Sequence, residues 1–287
     1  NLVRMIEAGY DEAKELHYIG MEYLSRGSLG EFLKHTPIVI ERRALEIARD
    51  VCSALVAASE AGIIHRDVKP HNVLFDRQGV AKLADLGMAM ELGDESRITA
   101  TGVVVGTPLY IAPEQASGAG EVDRADLYAL GLCLYEMLSG KQPFAEDGAP
   151  PIEIIVRHLK EELGDVRLMN PNVSDNAAQL VRGLCARDVD ERYVNPAAAL
   201  RDFILVLDGH SPLGPGDAAP ASALTDPTVK VKLPVEQRVQ ARPSEAKAPP
   251  RQATPSGAKA PLMVLFVIGA LALVATVAGL VVLLGGK

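Results

Sequence analysis

Residues Ile63–Phe75 read IIHRDVKPHNVLF, which sets a His, an Arg, an Asp, a Lys and an Asn within eight positions between apolar flanks. Polar side chains at this density, bracketed by Ile63-Ile64 and Val73-Leu74-Phe75, describe a loop pinned by buried segments on both sides. Such a loop can hold a general base, a cation and a metal ligand together. The fold of the chain turns on what surrounds it.

Downstream, the short apolar runs NVLF and VAKLA flank the turn DRQG and predict a hairpin whose return brings Asn72 and Asp85 to one edge. Upstream, ERRALEIARDVCSALVAASEAG places Leu45, Ala48, Val51, Cys52, Leu55 and Val56 on a helical stripe that stops at Gly62. Before that helix, LHYIGMEYL (Leu16–Leu24) alternates and reads as a strand. Beyond the hairpin a long irregular segment runs from Asp85 to Pro113. The helical runs ADLYALGLCLYEML, PIEIIVRHLKEEL, SDNAAQLVRGLCA and PAAALRDFILVL follow it. The expectation is a mostly helical α+β domain with one small sheet and one long functional loop.

Bulk properties narrow the function. The chain has 287 residues and a formal net charge of −8, which argues against a nucleic-acid binder but not against a nucleotide ligand. Cys52, Cys133 and Cys185 lie far apart, without a C-x-x-C spacing, and read as reduced core residues rather than zinc ligands or a disulfide framework. From Asp208 to Pro261 the composition shifts to Pro, Ala, Ser and Gly, the signature of a disordered juxtamembrane linker. Leu262–Leu284, LMVLFVIGALALVATVAGLVVLL, carries no charge. As a helix it would span roughly 34 Å at about 1.5 Å per residue, enough for a hydrocarbon core of ~30 Å. Lys247, Arg251 and Lys259 precede it, so the positive-inside bias puts the globular part in the cytoplasm of a single-pass cell-membrane protein. A start at Asn1 without a charged-then-apolar leader predicts no signal peptide, and the strand-like NLVRMI reads as an interior stretch.

Several ordered motifs together resemble the eukaryotic-type (Hanks-type) Ser/Thr protein kinases, in their bacterial receptor-like single-pass form. HRDVKPHN (His65–Asn72) is similar to the catalytic loop, DLG (Asp85–Gly87) to the metal-binding triplet, and GTPLYIAPE (Gly106–Glu114) to the end of the activation segment. DLYALG and DVDERY resemble the later structural motifs. The resemblance covers residues 1–207 and implies a protein-kinase-like fold. In it 1–24 supply strands and hinge of an N-terminal lobe, and 25–207 a mostly helical C-terminal lobe. Its order and spacing are specific, where any one motif would be weak.

The roles below are those the resemblance implies. Asp67 is the base that orients the acceptor hydroxyl, and Lys69 stabilises the moving phosphate charge. Asn72 and Asp85 offer hard oxygen ligands to Mg²⁺ or Mn²⁺. Met21, Glu22 and Leu24 form the hinge, with the backbone of Glu22 and Leu24 meeting the adenine of ATP and Leu74 packing beneath it. His65 is structural, Asp126 anchors the catalytic loop, and Glu114 pairs with Arg192. Arg66 would pair with a phosphate on Thr99 or Thr101, and Thr107 with Lys69 fits Ser/Thr rather than Tyr specificity. Leu86 departs mildly from the more frequent Phe.

The implied partners are protein substrates with Ser or Thr, a second copy for trans-autophosphorylation, and the membrane. The family's Gly-rich loop, strand Lys and helix Glu have no match here. GSLG (Gly27–Gly30) has the wrong spacing, and Lys82 of VAKLADLG runs straight into Asp85. The expectation is therefore a kinase lacking most of its N-terminal lobe, with little activity as this chain alone. The competing reading is an inactive kinase-fold scaffold or binding module at the membrane.

Overall fold

The computed structural model describes residues 1–85, 108–118, 124–145 and 149–216. Strands β1 (Met5–Asp11) and β2 (Leu16–Met21) pair with each other and are followed by helices α1 (Leu29–His35) and α2 (Glu41–Glu60). The short strands β3 (Val73–Phe75) and β4 (Ala81–Leu83) come next. Helices α3 (Pro113–Ser117), α4 (Ala125–Ser139), α5 (Pro151–Lys160), α6 (Asp175–Leu184) and α7 (Pro196–Leu207) complete the order.

Met5–Gly20 forms a unit of its own. Its turn is held by Asp11, whose Oδ1 accepts from the backbone of Ala13 (3.1 Å) and Lys14 (3.2 Å), the Asx-type closure that Asp favours. Tyr10 and His17 pack across the strands with ring centroids 4.9 Å apart and planes tilted by 50°.

In the main unit, α4 is buried on every face, from Ala125 to Leu134 without a break. A helix with no polar face belongs at the centre of a core. The amphipathic α2 packs on it with Leu45, Ala48, Val51, Cys52 and Leu55, α6 packs on it as well, and α7 lies against α2 and α6. Gly131 permits the closest approach: a Cβ there would stand 2.5 Å from the Cys185 sulfur and 2.7 Å from Leu184 Cβ. All three cysteines are free and buried. Burial pushes the Cys52 thiol above its usual range.

Helix ends follow local chemistry. Ser28 and Glu31 exchange reciprocal bonds at the start of α1, Glu31 N–H to Ser28 Oγ at 3.2 Å and Ser28 N–H to Glu31 Oε2 at 3.1 Å. Ser174 caps α6 and Asn195 caps α7, the latter ahead of Pro196. α5 stops at Lys160, short of the expected EEL, because Glu161 and Glu162 would oppose the negative end of the helix dipole. After α7 the chain stays pinned past Leu207: the Gly214 N–H donates to Asp202 Oδ2 at 2.8 Å.

β3 and β4 pair antiparallel with Val73 opposite Leu83, Leu74 opposite Lys82 and Phe75 opposite Ala81. Asp76 closes their turn by accepting from Gln78 and Val80 N–H, both at 2.9 Å. Among the described residues the expectation of one small sheet gives way to two two-stranded sheets. The strand read as Leu16–Leu24 ends at Met21, where Glu22 N–H turns to Arg4 C=O at 3.0 Å. Asn1–Arg4, read as strand, instead bridges to Leu83 in parallel. Leu262–Leu284 lies outside the described residues, among which no helix is long and apolar enough to cross a membrane.

Candidate active site

The β3–β4 return places the two ends of the hairpin together, with the Ala84 N–H donating to Asn72 C=O at 2.8 Å. Asn72 and Asp85 therefore share one edge despite their separation in sequence. Asp85 has φ 61° and an exposed side chain. The left-handed region is one that Asp tolerates better than most residues.

The loop before the hairpin is fixed from below by α4. Asp126, in the first turn of α4, accepts from His65 N–H through Oδ2 (2.7 Å) and from Arg66 N–H through Oδ1 (2.8 Å). These bonds hold Arg66 at φ 64°, a left-handed conformation that a bulky residue keeps only under such constraint. Burial pushes the Asp126 carboxyl above the usual range, against the opposing pull of the two N–H donors.

His65 is 1 % exposed. Its Nδ1 accepts from Asp67 N–H at 3.3 Å, which assigns the ring proton to Nε2, 2.8 Å from Ala84 C=O. The imidazole thus ties the catalytic-type loop to the strand leading into Asp85. It is a strut in the core.

Three polar side chains converge above this base. Lys69 Nζ reaches Asp67 Oδ2 at 2.7 Å. The Asn72 amide nitrogen donates to the same oxygen at 2.9 Å and to Asp67 C=O at 2.8 Å. With its nitrogen so engaged, Asn72 leaves Oδ1 as the atom available to a cation. Asn72 Oδ1 and the Asp85 carboxylate are hard oxygen donors on one edge. Mg²⁺ sites of one or two side chains completed by phosphate oxygens have this character, so the residues fit. Among the described residues no group of three or more His, Cys, Asp or Glu forms a closed metal cage.

Glu114 of α3 and Arg192 form a bidentate pair at 2.6 and 2.8 Å, both side chains buried. Thr99, Thr101 and Thr107 lie outside the described residues. At the segment's end, Tyr110 O–H donates to Glu136 Oε2 at 2.5 Å and accepts from Gln142 at 3.2 Å. Burial raises the Glu136 carboxyl.

Met21–Leu24, the stretch expected to form the hinge, belong to the main unit, in which Leu74 bridges to Ser28. Here the structure adds what the sequence did not disclose. The Glu22 side chain is engaged, with Lys82 Nζ at 2.7 and 2.9 Å from its two oxygens and Arg4 N–H at 2.9 Å. Hinge recognition by backbone gave no reason to look at this side chain. Lys82, dismissed as a mimic of the strand Lys, does sit on the strand before Asp85. Asp50 is a second unforeseen tie: buried on α2, it accepts from Ala81 N–H at 3.3 Å. It falls on the side of the helix away from the Leu45–Val56 stripe, where nothing in the sequence marks an acid as buried.

A central helix buried on every face, a buried Asp anchoring a polar loop, and an Asp–Lys–Asn cluster beside an exposed Asp define a protein-kinase-like catalytic lobe. Residues 1–204 match the protein kinase domain family. The chain belongs to that family. It is 36% identical over 216 residues to serine/threonine-protein kinase PknB of Mycolicibacterium smegmatis, covering 74% of this chain and 34% of the relative. It is 35% identical over 193 residues to serine/threonine-protein kinase PrkC of Bacillus subtilis, covering 67% and 29%. With serine/threonine-protein kinase PknA of Mycobacterium tuberculosis the identity is 35% over 271 residues, covering 91% and 62%. The chain thus spans about a third of the length of the first two relatives and three-fifths of the third.

Proposed function

We propose that the protein transfers the γ-phosphate of ATP to Ser or Thr hydroxyls of proteins. The observation that carries this reading is the Asp67–Lys69–Asn72 cluster, built at 2.7–2.9 Å and set beside Asp85. A scaffold has no physical need for a base, a cation and two metal-type oxygens on one edge. The names of the relatives, all serine/threonine-protein kinases, support the same substrate class.

Asp67 accepts a hydrogen bond from the incoming hydroxyl and takes its proton as the oxygen–phosphorus bond forms and the bond to ADP breaks. Lys69, a compact charge two residues away, stabilises the phosphoryl oxygens in transit. Asn72 holds Asp67 in orientation through both contacts with it. Bound Mg²⁺, on Asn72 and Asp85, supplies charge neutralisation for the phosphates. Met21, Glu22, Leu24 and Leu74 receive the adenine. Arg66 orders a phosphorylated Thr99 or Thr101 by charge-assisted hydrogen bonds, which makes transfer between two copies an activating step. Leu262–Leu284 anchors the chain in the cell membrane by a single pass, with residues 208–261 as linker and the kinase domain in the cytoplasm.

Incubation of the full-length protein with radiolabelled ATP and Mg²⁺, followed by acid hydrolysis, tests the reading. It predicts label on phosphoserine or phosphothreonine that EDTA abolishes. Label confined to phosphotyrosine, or no EDTA-sensitive label, would contradict it.

A further inference from the structure

We propose that the Glu22–Lys82 ion pair is a positioning device for the nucleotide, fixing the distance between the hinge and the strand that leads into Asp85. The proposal rests on the kinase reading and adds two residues whose side chains that reading does not use.

The pair is well made. Lys82 Nζ lies 2.7 Å from one Glu22 oxygen and 2.9 Å from the other. Glu22 is held on a second side by Arg4 N–H at 2.9 Å. The two side chains are only 23% and 22% exposed, shielded enough for geometry to matter more than salt screening. The bond from Lys82 draws the Glu22 carboxyl below its usual range, with Arg4 N–H assisting.

Its placement gives it leverage. Lys82 is directly opposite Leu74 across the β3–β4 ladder, so both side chains leave the hairpin on one face. That is the face on which Leu74 would meet the adenine. Asp85 follows Lys82 by three residues, and Glu22 is itself a hinge residue. The backbone connects the same parts: Glu22 N–H to Arg4 C=O at 3.0 Å, Val3 N–H to Leu83 C=O at 2.9 Å and Leu83 N–H to Asn1 C=O at 2.8 Å. The ion pair is the side-chain brace across this ladder. Adenine on the hinge and phosphates on the metal are opposite ends of one ligand of limited span. A shift between hinge and β4 therefore costs affinity at one end or the other.

The test measures Mg·ADP affinity by calorimetry on the full-length protein, with melting curves and steady-state kinetics on the same samples. Lys82→Met and Glu22→Gln should each weaken Mg·ADP about tenfold, ~1.4 kcal/mol. Both should raise the KM for ATP in step while leaving the KM for a peptide substrate unchanged. Lys82→Arg, which keeps the charge, should stay within about threefold of the unaltered protein, on the scale where tenfold is 1.4 kcal/mol. Glu22→Gln keeps an acceptor for Arg4 and so reads the charge even where Lys82→Met melts early. Unchanged ADP affinity in both neutral variants would overturn the proposal, as would an equal loss in Lys82→Arg. No Mg·ADP binding by the unaltered protein would overturn the kinase reading itself, and this proposal with it.

Discussion

Arg192 is fully buried, yet its donors are satisfied: Glu114 takes two, Ala186 C=O takes Nε at 2.6 Å, and Arg187 C=O takes Nη2 at 3.2 Å. Its guanidinium also lies 4.8 Å from the Tyr128 ring centroid. Arg192→Met would leave Glu114 as an uncompensated buried charge, costing ~3–5 kcal/mol and lowering the melting temperature by roughly 10 °C. Adding Glu114→Leu should recover part of that loss. His158 makes a pH-dependent case at the same scale. It is wholly buried, with Tyr128 O–H 3.1 Å from Nδ1. Burial lowers its pKa from 6.5 to about 4. The unfolded chain then binds the extra proton first, so stability holds above pH 6.5 and falls as pH drops toward 4, by about 3 kcal/mol in all. Urea unfolding of His158→Phe across this range should show a shallower slope than the unaltered protein. The polar loop was legible at this scale because Asp67, Lys69 and Asn72 sit within six consecutive residues. Glu22 and Lys82 were not, since 60 residues separate them and only the folded ladder brings them together.

Helices were read from periodicity, and their fidelity tracks how well periodicity reports environment. The stripe on α2 is one-sided, and the helix formed as read. α4 has no polar face to set its phase, so its central position follows only from burial on every side. α1 went unread because a seven-residue helix offers too few turns for a pattern; its capping pair Ser28–Glu31 was the available signal. Strand ends were misjudged where one tie diverts the chain, as Glu22 N–H does on meeting Arg4. The tight α4–α6 crossing gives a prediction belonging to this scale. Gly131→Ala drives a methyl into Cys185 and Leu184 and should cost ~1–3 kcal/mol, read as a lower denaturation midpoint. Catalytic constants should change far less than stability, because Asp126, not Gly131, holds the loop.

For the molecule as a whole, α2, α4, α6 and α7 form the platform, and the β3–β4 hairpin presents the chemistry at its edge. The family was legible because several motifs recur in order, each supported by a physical role that the fold then houses. The proposed membrane attachment rests on Leu262–Leu284, whose uncharged run should keep the protein in the pellet on carbonate extraction; release into the supernatant would contradict a spanning helix. The central claim, that Asp67 serves phosphoryl transfer to Ser and Thr, has a more direct test. Single-turnover transfer of radiolabel from Mg·ATP should be compared between full-length unaltered protein and Asp67→Asn, with ADP affinity measured alongside. Asn preserves the shape and the contacts of the loop while removing the carboxylate. The account predicts near-normal ADP binding with transfer reduced by about 10²-fold or more. Equal rates of label incorporation in the two proteins would contradict it.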